Sequence, residues 1–259
     1  MKNDQKLLNE IKKVSNIFDN GKYLEAVSKA KKLLNKLPGN EFLVNIVGLS
    51  YLKLGHLEEA KNLYIKMIKT NPVAVSFRNN YANVLKSLQK YEDAEKILKG
   101  IIGKYPNYIN AINNLANLKK DMKKYEEAIE LFKSALKIQP ENTIILYNIA
   151  LCYRSIRDFN EVLKYANKIN EINPQFTLAD RIISEIQDYR NDNKGHLEIM
   201  KNKILNNQLS ETDKIPLFFA MGKAYEDLKN FKLSFENYKK ANQLKRKTID
   251  YNLSEEINE

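Results

Sequence analysis

The chain has 259 residues, 43% hydrophobic and 29% charged, with a formal net charge of +11. This is the balance of a folded protein, and eight glycines and six prolines are too few for a disordered or linker-rich chain. The one cysteine, Cys152, excludes an intrachain disulfide and a thiolate metal site. The lysine surplus permits attraction to nucleic acid, anionic lipid or acidic protein, although a solvated lysine-rich surface accounts for it more simply.

The opening, MKNDQKLLNEIKKV, has no apolar signal core, and no later run approaches the roughly 18 apolar residues of a membrane span. A cytoplasmic protein without a membrane span is expected. Residues 7–40 read as two helices. The first runs from about Leu7 to Phe18, with Leu7, Leu8, Ile11, Val14 and Ile17 at helical spacing. Asn20-Gly21 turns the chain, and the second helix carries Tyr23, Ala26, Val27, Ala30 and Leu33 before Pro38-Gly39.

Residues 41–74, 75–108, 109–142 and 143–176 repeat that plan. Pro38, Pro72, Pro106, Pro140 and Pro174 stand 34 residues apart, as do Ala26, Ala60, Ala94 and Ala128, with Val162 next. Tyr23, Leu57, Tyr91, Tyr125 and Phe159 keep the same step. Gly48, Ala82, Ala116 and Ala150 share one phase on the first helices, where a small residue lets two helices cross closely. The aromatic residues at these phases are expected in the core, and Cys152 with them.

The phase breaks over 177–214, a degenerate helical pair. Leu178, Ile182, Ile183 and Ile186 suggest one helix, and Leu197, Met200, Ile204 and Leu205 another after Asn193-Lys194-Gly195. Ser210 is placed to cap the next helix. A sixth regular repeat follows at 215–248, with Gly222, Tyr225, Phe231, Ser234, Tyr238 and Ala241 in phase and Pro216 suiting a first helical turn. Residues 249–259 read as an incomplete capping or linker helix opened by Ser254-Glu255-Glu256, expected to fray if Glu259 ends the chain.

Catalytic chemistry has no foothold in this pattern. No glycines form a phosphate-cradling loop. His56 reads as a solvated turn residue, far in sequence from His196, so zinc lacks a ligand set. Glu58-Glu59 and Glu126-Glu127 open helices, where carboxylates favour the dipole. No cofactor or metal is expected.

Asparagine is the informative polar residue. Asn45, Asn79 and Asn113 are in phase, as are Asn80, Asn114 and Asn148, and Asn83 with Asn117. All fall on first helices off the apolar stripe, so stacking sets them in a ladder along one groove. A carboxamide both donates and accepts, and suits an extended polypeptide backbone. Lysines cluster at Lys119, Lys120, Lys123 and Lys124 near one rim, and basic residues at Lys239, Lys240, Lys245, Arg246 and Lys247. An anion-binding or RNA-binding rim is the alternative these raise; nucleic acid is not expected, because the aromatics are assigned to the core.

The fixed period and the strings YLEA, HLEEA, YEDA and YEEAIELFKSALKIQP resemble the tetratricopeptide repeat family over 7–176 and 215–248. The resemblance implies an all-α, right-handed superhelical solenoid that binds a polypeptide in its concave groove, as a scaffold and not an enzyme. The phase of Asn80, Asn114 and Asn148 is similar to the asparagine ladder of the O-linked N-acetylglucosamine transferase repeats. A narrower likeness lies in FFAMGKAYEDL and ANQLKRK, within residues 214–252. These resemble the last repeat before the catalytic domain of bacterial tetratricopeptide-containing sulfotransferases, which implies a substrate-recruiting arm without its own phosphosulfate loop.

Overall fold

A computed structural model describes residues 2–190, 194–205 and 208–248, all in helices or the turns joining them. Asn193 and the helix start read at Ser254 lie outside the described residues. The chain divides into two compact units, residues 1–138 and 139–259.

The first unit holds α1 (Lys2–Asp19), α2 (Tyr23–Leu34), α3 (Glu41–Lys53), α4 (Leu57–Thr70), α5 (Val75–Ser87), α6 (Tyr91–Lys104), α7 (Ile109–Asp121) and α8 (Tyr125–Ile138). α1 runs further toward the N-terminus than the apolar spacing of Leu7–Phe18 suggests. Acidic residues open most second helices, Glu58 and Glu59 in α4 and Glu126 and Glu127 in α8, against the positive end of the helix. Each odd-numbered helix packs on the even one after it, and each even one on the next odd one through α7. Buried Ala26, Ala30, Leu33, Leu43, Ile46 and Val47 join α2 to α3, and Ala94, Leu98, Ile101, Ala111, Leu115 and Leu118 join α6 to α7.

The turn within each pair repeats in backbone detail. Gly21, Gly55, Gln89 and Lys123 all have positive φ, and the residue after each donates its N–H to the carbonyl five residues back. This left-handed geometry closes the first helix and satisfies one of its terminal carbonyls. Glycine adopts it freely, whereas Gln89 and Lys123 carry a β-carbon into it at about 1–2 kcal/mol.

Helix crossings follow side-chain volume. Tyr64 is fully buried, and a β-carbon at Gly48 would fall inside its ring. Gly222 stands in the same relation to Tyr238, sixteen residues on, where a β-carbon would lie 2.7 Å from the ring. Where the partner is Leu98, alanine suffices at Ala82, and both are buried in one cluster.

The first helices also touch one another, α1 with α3, α3 with α5, and α5 with α7, whereas successive second helices share few contacts. First helices therefore form the more closely spaced, inner side of this unit.

The second unit holds α9 (Thr143–Ser155), α10 (Phe159–Ile172), α11 (Leu178–Ile186), α12 (Lys194–Leu205), α13 (Glu211–Asp227) and α14 (Phe231–Lys247). α9 pairs with α10 and α13 with α14, and α11 packs on both α10 and α13. Ser210 caps α13 by accepting from the Asp213 N–H at 3.1 Å, with Glu211 and Asp213 in the first turn. That cap starts the helix earlier than the repeat phase suggests, so Pro216 lies inside α13 and not in its first turn.

A second correction concerns the aromatics. Tyr64, Phe77 and Phe132 are core residues, but Phe159 is 46% exposed and Phe231 is 67% exposed despite holding the phase of Tyr91. Cys152 is buried.

Candidate functional site

The asparagines of α3, α5 and α7 form a continuous hydrogen-bonded relay. Asn114 Nδ2 donates to Asn79 Oδ1 at 2.9 Å, and Asn79 Nδ2 to Asn80 Oδ1 at 3.3 Å. Asn80 Nδ2 donates to Asn45 Oδ1 at 2.8 Å, and Asn45 Nδ2 to Ser76 Oγ at 3.2 Å. Ser76 Oγ then donates to the Glu41 carboxylate. The direction is uniform, so each donor polarises the next, and the chain ends on a charge. The amides thus bond from one first helix to the next, and Asn79 is buried in doing so.

Asn45, Asn80 and Asn114 remain half-buried. A carboxamide has two N–H groups and two carbonyl lone pairs, and the relay uses one of each on Asn45 and Asn80. Burial pushes the Tyr64 phenol well above its ordinary pKa, with Asn80 opposing, so this neighbour stays neutral.

Asn117 and Asn113 are spent differently. Asn117 folds back to its own helix, donating to the Asn113 carbonyl at 2.9 Å. Asn113 Oδ1 is sealed from solvent without a hydrogen-bond partner among the described residues. Asn83 is half-buried on α5, and Asn148 is half-buried on α9 of the second unit.

Two lysines of the basic rim read at Lys119–Lys124 face carboxylates. Lys119 is buried, with Nζ 2.9 Å from Glu95 and 2.8 Å from Glu127. Burial opposes its charge, but the two carboxylates outweigh burial and hold its pKa above the ordinary lysine value. Lys99 and then Lys119 hold the Glu95 carboxyl below its usual range. Lys124 also faces Glu127, at 3.8 Å.

The second unit contains a polar cluster in the stretch read only as degenerate. Asp180 is fully buried on α11 and accepts from Lys203 Nζ at 2.7 and 2.9 Å. Asn170 Nδ2 and His196 Nε2 lie 3.3 and 3.2 Å from Asp180 Oδ1. His196 Nδ1 is 2.6 Å from the hydroxyl of buried Tyr189, whose ring stacks on the imidazole. Asp227 accepts the Tyr189 backbone N–H at 3.1 Å and also binds Lys223. One signal for this cluster stood in the sequence. Asp180 holds the repeat phase of Val44, Arg78, Ile112 and Leu146, three of them buried and apolar, and a buried carboxylate there needs partners.

Among the described residues no group of three or more His, Cys, Asp or Glu is placed to hold a metal ion. No helix of the described residues is long and apolar enough to cross a membrane.

Models of the tetratricopeptide repeat match residues 109–142, residues 48–109, and residues 144–176 with 215–248. The matched segments take in well over half of the chain, which belongs to the tetratricopeptide repeat family. No curated protein sequence matches it. Among solved structures, a tetratricopeptide repeat protein from Parabacteroides merdae shares 16% identity at a TM-score of 0.57, covering 96% of this chain and 95% of its own. Human IFIT1, solved as a dimer with m7Gppp-AAAA, shares 16% identity at a TM-score of 0.66, covering 86% of this chain and 55% of its own. YrrB, described as a tetratricopeptide protein with an unusual peptide-binding site, shares 18% identity at a TM-score of 0.45, covering 66% of this chain and 88% of its own. At such identities the likeness is one of fold, and with 361 matching chains the fold selects no partner.

Proposed function

We propose that the inner, first-helix side of residues 41–121 binds an extended polypeptide, and that the protein is a scaffold without chemistry of its own. The observation that carries this reading is the asparagine relay. Its amides are locked by one another, so little rotamer freedom is lost on binding, and Asn45 keeps one N–H and one lone pair outside the relay. Such a row suits peptide groups with little regard to side chains. Neutral amides and a lysine enclosed by two carboxylates also supply little of the positive field that nucleic acid needs, which favours polypeptide over RNA here.

The sulfotransferase-arm reading would use the same surface to present substrate. It rests on the resemblance of residues 214–252 alone.

The test is an array of random 12-residue peptides probed with wild type and with Asn80→Ala/Asn114→Ala, helicity being checked by circular dichroism. Wild-type binding across many unrelated sequences, reduced about tenfold or more in the variant, is expected. Equal binding by the two proteins overturns the proposal.

A further inference from the structure

Two places 26 residues apart, one on a first helix and one on its second helix, are matched in chemistry along the chain. In α1 and α2 they hold Glu10 and Lys36, an ion pair at 3.6 Å. In α13 and α14 they hold Phe218 and Leu244, which line one cavity between the two helices. In α7 and α8 they hold Ile112 and Ile138. In α5 and α6 the match fails, because the same places fall to Arg78 and Lys104. Arg78 is half-buried and Lys104 exposed. Among the described residues neither makes an ion pair, and Arg78 Nε is sealed from solvent without a hydrogen-bond partner. A desolvated donor with no acceptor is costly, and a second cation opposite it adds repulsion.

The surrounding chain supplies no carboxylate to relieve them. No Asp or Glu occurs from Ala60 to Tyr91 or from Lys96 to Lys120, so α4 ends, α5 begins, α6 ends and α7 begins without one. The nearest acids on the packed helices are spent elsewhere, Glu41 of α3 on Ser76 and Glu95 of α6 on Lys99 and Lys119. The last turn of α4 adds another cation, Lys69. The start of α5 is positive for a further reason. Asn40 caps α3 and Glu41 sits in its first turn, whereas α5 follows Ala74 with no side-chain cap and no acid in its first turn. Its first N–H groups and the positive end of its dipole are therefore uncompensated by side chains. Arg78 is the fourth residue of α5, and a helical side chain leans toward the N-terminus of its helix, which carries the guanidinium toward that end.

We propose that Arg78 and Lys104 bind a phosphate dianion, free or carried as a monoester, beside the first turn of α5. The planar guanidinium fork takes two oxygens and the ammonium a third. A dianion neutralises both cations where a carboxylate would leave one uncompensated. Arg78 takes no part in the asparagine relay, although Ser76, Asn79 and Asn80 share its helix, so the site does not depend on peptide binding there.

The test is calorimetric titration of the whole chain with inorganic phosphate, with O-phosphoserine and with acetate, at about pH 7.5, where a phosphate monoester is mostly dianionic, and at constant ionic strength. Wild type should bind one or both phosphates and not acetate. Binding of phosphoserine names monoesters as ligands, and binding of inorganic phosphate alone names the free ion. Arg78→Met and Lys104→Met should each weaken binding about tenfold or more, while Asn80→Ala/Asn114→Ala and, in the second unit, Lys247→Met leave it unchanged. Arg78→Glu restores in α5 and α6 the acid–base match of Glu10 and Lys36. It should abolish binding and yet melt no lower than wild type in the absence of phosphate. Lys104 is exposed, so its variant should fold in any case, and thermal melts verify this. Failure of wild type to bind either phosphate overturns the proposal, as does equal binding of acetate or binding indifferent to both methionine variants. A marked loss of stability in phosphate-free Arg78→Glu also overturns it, because the two places then do not face each other.

Discussion

In the first unit, carboxamides on α3, α5 and α7 bury their polar atoms against one another and carry no charge until the relay reaches exposed Glu41. In the second, Asp180 is sealed inside the fold and held by a lysine, a histidine and an asparagine. A neutral amide that loses its partner costs one desolvated group, which water restores at a half-buried position. A buried carboxylate or ammonium that loses its partner is a charge in a poor dielectric. The relay is consequently tolerant of substitution. The Asp180 cluster is intolerant, and its geometry suits fastening α10, α11 and α12 together.

The sharpest way to break this contrast is Asp180→Ala. It leaves Lys203 half-buried without its carboxylate, and should lower stability by about 3 kcal/mol. Asp180→Leu/Lys203→Met removes both charges, keeps similar volume, and should recover most of the loss. Urea denaturation of the three proteins measures this. A double variant no more stable than the single one would mean the cluster acts through its shape and not its charges.

Asn79→Ala tests the other side. Asn79 is the buried member of the relay, and its loss strands Asn114 Nδ2 and Asn80 Oδ1 on half-buried residues. The expected cost is about 1–2 kcal/mol, equal in low and high salt because no charge is uncovered. A loss as large as that of Asp180→Ala, or one that depends on salt, would erase the distinction between the two networks.

The same contrast explains what the sequence disclosed. The helix pairs were legible because a fixed period multiplies weak signals: a proline or an alanine says little once, and much when it recurs in step. The exchange of Gly48 with Tyr64 and Gly222 with Tyr238 was readable as a spacing, although only the packing shows why tyrosine demands glycine. The asparagine phases placed these residues on the first helices, but did not show that Asn79 is spent inward and Asn117 on its own helix, since phase gives a direction and not a partner. The exposure of Phe231 was hidden, because its phase holds both half-buried rings such as Tyr91 and exposed ones such as Phe159. The Asp180 cluster was hidden because Tyr189, His196 and Lys203 hold no repeated phase, and the charge at the Asp180 phase has a precedent in Arg78.

The smallest expected effect concerns an ion cluster of the first unit that joins three helices around buried Lys119: Glu95 on α6, Lys119 on α7 and exposed Glu127 on α8. Glu95 and Glu127 both titrate below the ordinary glutamate value of 4.5 when folded, Glu95 through Lys99 and Lys119, Glu127 through Lys119. A carboxyl lowered by folding stabilises the fold above its unfolded pKa, and that contribution is lost as pH falls through the folded value. Lys119, raised above 10.5, stabilises below that pH and loses its contribution only as pH rises past it. Stability from this cluster should therefore be level from about pH 5 to 10 and decline below about 4.5. Solvent screening limits the decline attributable to Glu95 to about 1 kcal/mol or less. Urea midpoints of wild type and Lys119→Met from pH 6 to pH 3 measure it. Lys119→Met removes the cation that lowers both carboxyls, so its acid slope should be shallower. Parallel slopes would mean that acid acts elsewhere in the molecule and that Lys119 is held by packing rather than by its two carboxylates.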